Sequence, residues 1–235
     1  MFVYRKYHGC PTALLSLTEQ WKEDLDKHNM IGTITIDLSK AFDCLSHDII
    51  LEKLEFFGLS DHALSLMRSY LSSRYQRVKL SDTFSTWQEV SRGVLQGSIL
   101  GPTLFNIFIN DLAYAIKQCR IVNYADDTNI HCSSKDVGDV QNNLIIDLEK
   151  VTSWFIQNGM KPHPDKYQAM VLGKTEDKLN LKIDIKTTEK TSGVVLDNEI
   201  KFDDHISSIC REVIAQISAL NRLKNILPLK TKESL

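Results

Sequence analysis

Residues 120–132 read Arg-Ile-Val-Asn-Tyr-Ala-Asp-Asp-Thr-Asn-Ile-His-Cys, and this stretch leads to the prediction of the fold. Two short apolar runs flank Ala125-Asp126-Asp127, a pattern that predicts two antiparallel strands joined by a tight hairpin. Asp favours turns for conformational reasons, so an Asp-Asp pair alone is most simply a turn. At a hairpin tip, the same carboxylates can also bind Mg²⁺, which prefers oxygen ligands.

A third acid follows an earlier strand. Residues 31–37 form a β-branched run that ends in Asp37, so this carboxylate is predicted at the end of a strand. Two divalent ions held ~3.5–4 Å apart can clamp the attacking and leaving oxygens of a phosphoryl transfer. Asp37, Asp126 and Asp127 on neighbouring strands would form a candidate site for two such ions.

Hydrophobic periodicity predicts an α+β fold. Several strand pairs have connections too short for a parallel crossover, which predicts an antiparallel or mixed sheet with helices on one face. An Asp136 N-cap and Gly159 bound the clearest amphipathic helix. The predicted helices cover 12–27, 48–57, 63–71, 102–117, 137–155 and 206–223, and the further strands cover 75–80, 84–90, 167–172, 179–185 and 193–196.

Composition excludes several classes of protein. The 235 residues carry Lys+Arg 28 against Asp+Glu 30, and no stretch approaches the ~18 apolar residues of a membrane helix. The five scattered cysteines are interpreted as reduced thiols, and the histidine spacings do not indicate a zinc site. The near-zero net charge argues against nucleic-acid binding, although 68–92 and 205–235 are each about +3.

Three motifs in order identify a family. Ile36-Asp37-Leu38-Ser39-Lys40-Ala41-Phe42-Asp43 is followed by the stretch 92–102, Arg-Gly-Val-Leu-Gln-Gly-Ser-Ile-Leu-Gly-Pro, and then by Tyr124-Ala125-Asp126-Asp127. The chain resembles the reverse transcriptase domain of non-LTR, jockey/CR1-like retrotransposons over about 4–227. The resemblance implies a polymerase right-hand palm with partial fingers and the start of a thumb.

The resemblance also implies residue roles. Asp37, Asp126 and Asp127 would be catalytic metal ligands together with the carbonyl of Leu38, for two Mg²⁺ ions, with Mn²⁺ as the alternative. Lys166 would protonate the leaving pyrophosphate, although a plain surface lysine is an alternative. Phe42, which could otherwise be a core residue, would exclude a 2′-hydroxyl. The remaining implied residues are Gln96 and Gly97 for the nucleotide, and Gly193, Val194, Leu196 and Asp197 for a primer grip.

The resemblance divides the chain into regions. Residues 1–30 would be partial fingers and 31–190 the palm, with a finger-side insert within 31–97 and the catalytic hairpin at 119–133. Residues 191–204 would form the primer-grip-like hairpin, and 205–235 the start of the thumb. The family is expected to have upstream basic residues that bind the triphosphate and a complete thumb, and this chain contains neither. We therefore expect this chain alone to be a poor polymerase.

Three functions remain as alternatives. The first is an RNA-directed DNA polymerase with an RNA template, a DNA primer and deoxynucleoside triphosphates as partners, in the nucleus or a cytoplasmic ribonucleoprotein. The second is a catalytically inactive, truncated or domesticated palm that only binds RNA or protein. The third is an RNA-dependent RNA polymerase, against which Phe42 and Ala125-Asp126-Asp127 argue. The motifs do not separate the first two, and the oligomeric state is not predicted.

Overall fold

The described part of the chain contains six α-helices and eleven short strands. The computed structural model describes residues 9–38, 40–95, 97–124, 127–173, 179–181, 183–191 and 193–223. The α-helices are α1 (Cys10–Asp26), α2 (His47–Phe56), α3 (Asp61–Leu71), α4 (Gly101–Ile109), α5 (Val137–Gln157) and α6 (Asp203–Leu223). The strands are β1 (Met30–Ile36), β2 (Tyr75–Gln76), β3 (Lys79–Leu80), β4 (Thr83–Phe84), β5 (Gln88–Glu89), β6 (Arg120–Tyr124), β7 (Asp127–Ser134), β8 (Gln168–Leu172), β9 (Ile185–Lys186), β10 (Thr188–Thr191) and β11 (Val194–Asp197).

A five-stranded sheet forms the centre, in the order β6-β7-β1-β8-β9. β1 is antiparallel to both β7 and β8, whereas β8 and β9 are parallel. All seven residues of β1 are buried. A strand buried on both sides needs cover on both faces of the sheet.

Helix α5 covers one face. Gly32 of β1 faces this helix so closely that an added Cβ would lie 2.6 Å from Leu144 and 2.7 Å from Val140. Ile34 and Ile36 point the same way, because alternate strand residues share a face, and both are fully buried in the larger core. The missing side chain of Gly32 therefore allows α5 to pack directly on the central strand.

Helix α1 covers the opposite face. Its Leu17 and Trp21 form a second core with Ile31 of β1 and Leu196 of β11, all at most 1% exposed. The expectation of helices on one face only was therefore wrong. The apolar side of α1 and the hairpin that contains β11 together bury the second face of β1.

Local structure departs from the sequence prediction at two other places. Residues 179–185 alternate apolar and polar, yet among their described residues only Ile185 is in a strand. Leu179 instead packs into the main core, and the backbone N–H of Asn180 donates to Gln141 of α5. The predicted 102–117 helix is α-helical only to Ile109 and continues as a 3₁₀-helix to Ala115.

Most predicted elements are confirmed. Asp136 is the N-cap of α5, where its side chain accepts a hydrogen bond from the backbone N–H of Asp139 at 3.1 Å. The mixture of helices with a largely antiparallel sheet confirms the predicted α+β class. Within the described residues, no helix is both long and apolar enough to cross a membrane.

Candidate active site

Strand register places two of the predicted carboxylates side by side, at the end of β1 and the start of β7. Ile36 of β1 pairs with Thr128 of β7. Asp37 follows Ile36, and Asp127 precedes Thr128, so the two acids come at the same level of the two adjacent strands. Asp126 lies outside the described residues.

The backbone around Asp37 is held from a third segment. Leu38 forms an antiparallel bridge with Pro162, and the backbone N–H of His163 donates to the carbonyl of Asp37 at 3.4 Å. The side chain of Leu38 is only 3% exposed and belongs to the main core. A buried Leu38 thus anchors the end of β1, while the carboxylate of Asp37 remains half exposed.

Lys166 lies beside this carboxylate. It ends a 3₁₀-turn over Pro164–Lys166, and its Nζ is 3.5 Å from Oδ2 of Asp37. Both side chains are about half exposed, so solvent weakens their attraction. The structure therefore brings together two residues that the sequence linked only through the family resemblance.

The predicted nucleotide-binding residues are only partly described. The ring of Phe42 stacks on Phe105 of α4, with centroids 4.6 Å apart, and its carbonyl accepts a hydrogen bond from the backbone of Val94. Gly97 adopts a positive φ of 81° with open space around it, a conformation that favours glycine. Gln96 lies outside the described residues.

A histidine that the sequence analysis missed fixes the segment before Gly97. Nε2 of His47 donates to the carbonyl of Gly93 at 2.8 Å, and the backbone N–H of Gly93 donates to Leu45. Gly93 has a positive φ of 84°, and an added Cβ would lie 2.8 Å from the backbone of Asp43. The only sequence signal was a polar residue at the start of α2.

The predicted primer-grip residues form a hairpin of β10 and β11. Gly193 lies in its turn with a positive φ of 84°, Val194 pairs with Thr191, and Leu196 is fully buried under α1. The carboxylate of Asp197 accepts hydrogen bonds from the backbone N–H groups of residues 199, 201 and 202. These bonds connect the hairpin to α6.

The pKa of Asp197 reflects this turn. Partial burial raises the pKa of the carboxyl group, but the backbone N–H groups of Lys201, Phe202 and Glu199 outweigh burial and hold it below the usual value. The carboxylate therefore stays charged and keeps the turn before α6 ordered.

A buried polar network joins the hairpin to the central sheet. Nδ2 of Asn129 donates to Thr33 at 2.7 Å, to Thr35 at 3.1 Å and to Oε1 of Glu189 at 3.2 Å. The hydroxyl groups of Thr35 and Thr191 are 3.4 Å apart. Sequence analysis missed this network, because none of its residues belongs to a motif.

Burial changes two pKa values at this network. Desolvation raises the pKa of Glu189 to about 7, against smaller lowering effects of the hydroxyl groups of Thr35 and Thr191. Desolvation and the charge of Arg120 lower the pKa of His131, which contacts Asn129, to about 4. Both groups are therefore driven toward their neutral forms.

The described residues include only some of the predicted metal ligands. In the part of the chain that the structure describes, no three His, Cys, Asp or Glu side chains are grouped to hold a metal ion. That part contains Asp37 and Asp127 but not Asp126. Carboxylate oxygens at the ends of paired strands are donors that suit a hard cation such as Mg²⁺.

Comparison with known families identifies the class of protein. The family model described as reverse transcriptase (RNA-dependent DNA polymerase) matches residues 4–202. The chain belongs to the reverse transcriptase family. The resemblance deduced from the three motifs is thereby confirmed over most of the chain.

Curated relatives come from mobile elements. The chain is 28% identical, over 98% of its length, to the RNA-directed DNA polymerase from mobile element jockey of Drosophila funebris. It is 25% identical, over 95% of its length, to the probable RNA-directed DNA polymerase from transposon BS of Drosophila melanogaster. It covers 27% and 26% of those proteins, so it spans about a quarter of their length.

Solved structures share the fold. Apo telomerase from Candida tropicalis, truncated from its C-terminal domain, matches with a TM-score of 0.58 at 15% identity. The match covers 86% of this chain and 40% of that one. Telomerase from Candida albicans matches with a TM-score of 0.53 at 15% identity, over 81% and 35% of the two chains. These likenesses support the palm-like fold of a reverse transcriptase.

Proposed function

We propose that this chain is the catalytic palm of an RNA-directed DNA polymerase, which extends a DNA primer on an RNA template. The observation that supports the proposal has two parts: strand register places Asp37 and Asp127 at the same level of adjacent strands, and Nζ of Lys166 lies 3.5 Å from Oδ2 of Asp37. Carboxylates next to a cationic proton donor suit the transfer of a nucleotidyl group, in which phosphate charges must be neutralised.

Two divalent cations, Mg²⁺ or alternatively Mn²⁺, fit the oxygen donors at these strand ends. Asp37, Asp126, Asp127 and the carbonyl of Leu38 would hold them. Bound there, the ions would supply Lewis-acid activation of the primer 3′-hydroxyl and neutralise the triphosphate. The rigid end of β1, anchored by buried Leu38, keeps the Asp37 carboxylate in place.

Lys166 acts at the leaving group. A bond forms between the primer 3′-oxygen and the α-phosphorus, and the bond from that phosphorus to pyrophosphate breaks. The hydroxyl proton passes to solvent, while Nζ of Lys166 gives a proton to the leaving pyrophosphate. A positioned general acid typically contributes ~10²–10⁴-fold to the rate.

The other site residues bind and orient the substrates. Phe42 packs under the sugar of the incoming deoxynucleotide and excludes a 2′-hydroxyl, while Gln96 and Gly97 contact the nucleotide. The hairpin with Gly193, Val194 and Leu196 orients the primer end, and Asp197 supports it by ordering the following turn. In the cell, the enzyme acts in the nucleus or a cytoplasmic ribonucleoprotein.

Primer extension tests this function. The assay compares this chain with a version extended into the fingers and thumb of a related element, using RNA template, DNA primer, Mg²⁺ and deoxynucleotides. We expect weak extension by the short chain, because few phosphate contacts are available, and strong extension by the longer one. If the 235-residue chain extends the primer as well as the longer protein does, the expectation that this chain alone is a poor polymerase is wrong.

A matched pair of variants tests the metal ligands. In the extended protein, Asp126→Asn keeps the shape and removes one charge, so extension should fall by about 10³-fold or more while template–primer affinity stays the same. Exposed Glu55→Gln, which loses the same charge on α2, should remain active. Absence of extension by the unmutated extended protein would favour a non-catalytic RNA- or protein-binding palm.

A further inference from the structure

Residues 74–90 form a ribbon that projects from the rest of the fold. β2 pairs with β5 and β3 with β4, and among the described strands these four pair with no others. All eight residues of these strands are exposed. Two residues lie between β2 and β3, whereas three lie between β4 and β5. The extra residue forms a bulge that bends the ribbon. Core burial does not explain its sequence.

The ribbon carries exposed aromatic rings with cations above them. The guanidinium of Arg77 lies 3.9 Å from the ring centre of Phe84 and 4.6 Å from that of Trp87. Nζ of Lys79 is 5.4 Å from Phe84. Phe84 is 45% exposed and Trp87 58% exposed, although large aromatic side chains are usually well buried.

Charge indicates the kind of partner. Between Arg68 and Arg92 there are five basic residues and two acidic ones, in a chain whose overall charge is −2. Aromatic rings and arginine planes stack on unpaired bases, while the cations neutralise phosphates. A base-paired duplex hides its base faces, so a single strand suits the ribbon better.

The ribbon leads toward the candidate active site. Its base, at Tyr75 and Glu89, lines a cavity of about 580 Å³ that also reaches Lys40 and the segment Gly93–Leu95. Arg74 stands at this base, with its guanidinium 5.1 Å from the ring of Tyr70. A strand on the ribbon could thus continue along the cavity to the nucleotide-binding segment.

We propose that the ribbon, with Arg77, Phe84 and Trp87 at its centre, binds the single-stranded part of the RNA template before it enters the active site. The identity of the strand as template rests on the proposed function. Binding to the ribbon itself needs neither metal nor nucleotide.

Fluorescence of Trp87 reports this binding in the 235-residue chain. Titration with an unstructured oligouridine at low salt should quench tryptophan emission, because Trp87 is exposed, while Trp21 is fully buried and Trp154 is partly buried against the main core. Trp87→Phe keeps a ring and should bind with most of the quenching lost. Unchanged quenching in Trp87→Phe would place the RNA elsewhere and overturn the proposal.

Affinity measurements complete the test. Trp87→Ala should weaken binding about tenfold, and Arg77→Ala should also lower the slope of log affinity against log salt by ~0.7. The controls Tyr114→Ala and Lys135→Ala, which alter an exposed ring and an exposed cation elsewhere, should bind like the unmutated chain. Equal affinity of all variants, or equal competition by duplex RNA, would overturn the proposal and favour a protein-docking ribbon.

Failure of the two proposals can be told apart. If the extended protein makes no DNA but the ribbon variants lose RNA affinity, the proposed function fails and the binding surface stands. If the extended protein makes DNA and the ribbon variants bind RNA normally, only the binding surface fails.

Discussion

Nζ of Lys166 lies 3.5 Å from Oδ2 of Asp37, although the two residues come from distant parts of the chain. The backbone of Pro162 and His163 pairs with the backbone of Leu38 and Asp37 at the end of β1. The 3₁₀-turn that follows then places Lys166 beside the carboxylate. Because both side chains are half exposed, the contact contributes little to stability. The contact holds a lysine ammonium group beside a carboxylate of the candidate metal site.

Lys166→Ala in the extended protein should slow single-turnover primer extension by about 10²-fold, because a general acid is removed. Affinity for the primer–template should hardly change. The control is Lys161→Ala, which removes an exposed lysine five residues earlier. Equal rates for the two variants would make Lys166 a surface residue with no part in the chemistry.

Phe42→Ala should relax sugar discrimination. Its ring is held against Phe105, so truncation opens space where a 2′-hydroxyl would otherwise clash. The preference for deoxynucleotides over ribonucleotides should fall about 10- to 100-fold, measured as the ratio of kcat/KM values. Phe57→Ala, which truncates an exposed ring on the surface, is the control. Retained discrimination in Phe42→Ala would leave Phe42 as a packing residue only.

His47→Leu should loosen the segment before Gly97, because the carbonyl of Gly93 loses its hydrogen-bond donor. A hydrogen bond of this kind is worth about 1 kcal/mol, so KM for deoxynucleotides should rise roughly fivefold with a smaller change in kcat. His47→Gln, which keeps a donor, should restore KM, and exposed His62→Leu should have no effect. A fall in kcat alone would argue against a positioning role.

Glu189→Gln should change how stability depends on pH. The pKa of Glu189 is about 7 in the folded protein and near 4.5 when unfolded, so the folded state binds more protons between these values. Stability is therefore lost as pH rises from about 4.5 to about 7. Glu189→Gln should not lose stability over this pH range. At pH 8 its free energy of unfolding should exceed that of the unmutated chain by about 3 kcal/mol.

Urea unfolding at pH 5 and pH 8 measures this effect. His131, whose pKa is lowered to about 4 by burial, contributes an opposite slope in the acid range, so the informative quantity is the difference between variant and unmutated chain. Exposed Glu212→Gln is the control and should leave that difference near zero. Parallel curves for Glu189→Gln and the unmutated chain would show that Glu189 is not desolvated in solution.

The sequence determined the family, the α+β class and most of the helices and strands. Local chemistry was sufficient there, because the capping by Asp136, the apolar periodicity of α5 and the Asp-Asp hairpin each depend on residues close together in the chain. Local patterns failed at 179–185, where alternation reflected packing of Leu179 against the core and not a strand.

Only the tertiary structure decided which distant residues meet. The pairing of Ile36 with Thr128 brings Asp37 level with Asp127, and the 3₁₀-turn adds Lys166. The contact of His47 with Gly93 had only a weak sequence signal, and that of Asn129 with Glu189 belonged to no motif. Such contacts depend on strand register and on the burial of both sheet faces, which are properties of the assembled core and not of any one segment.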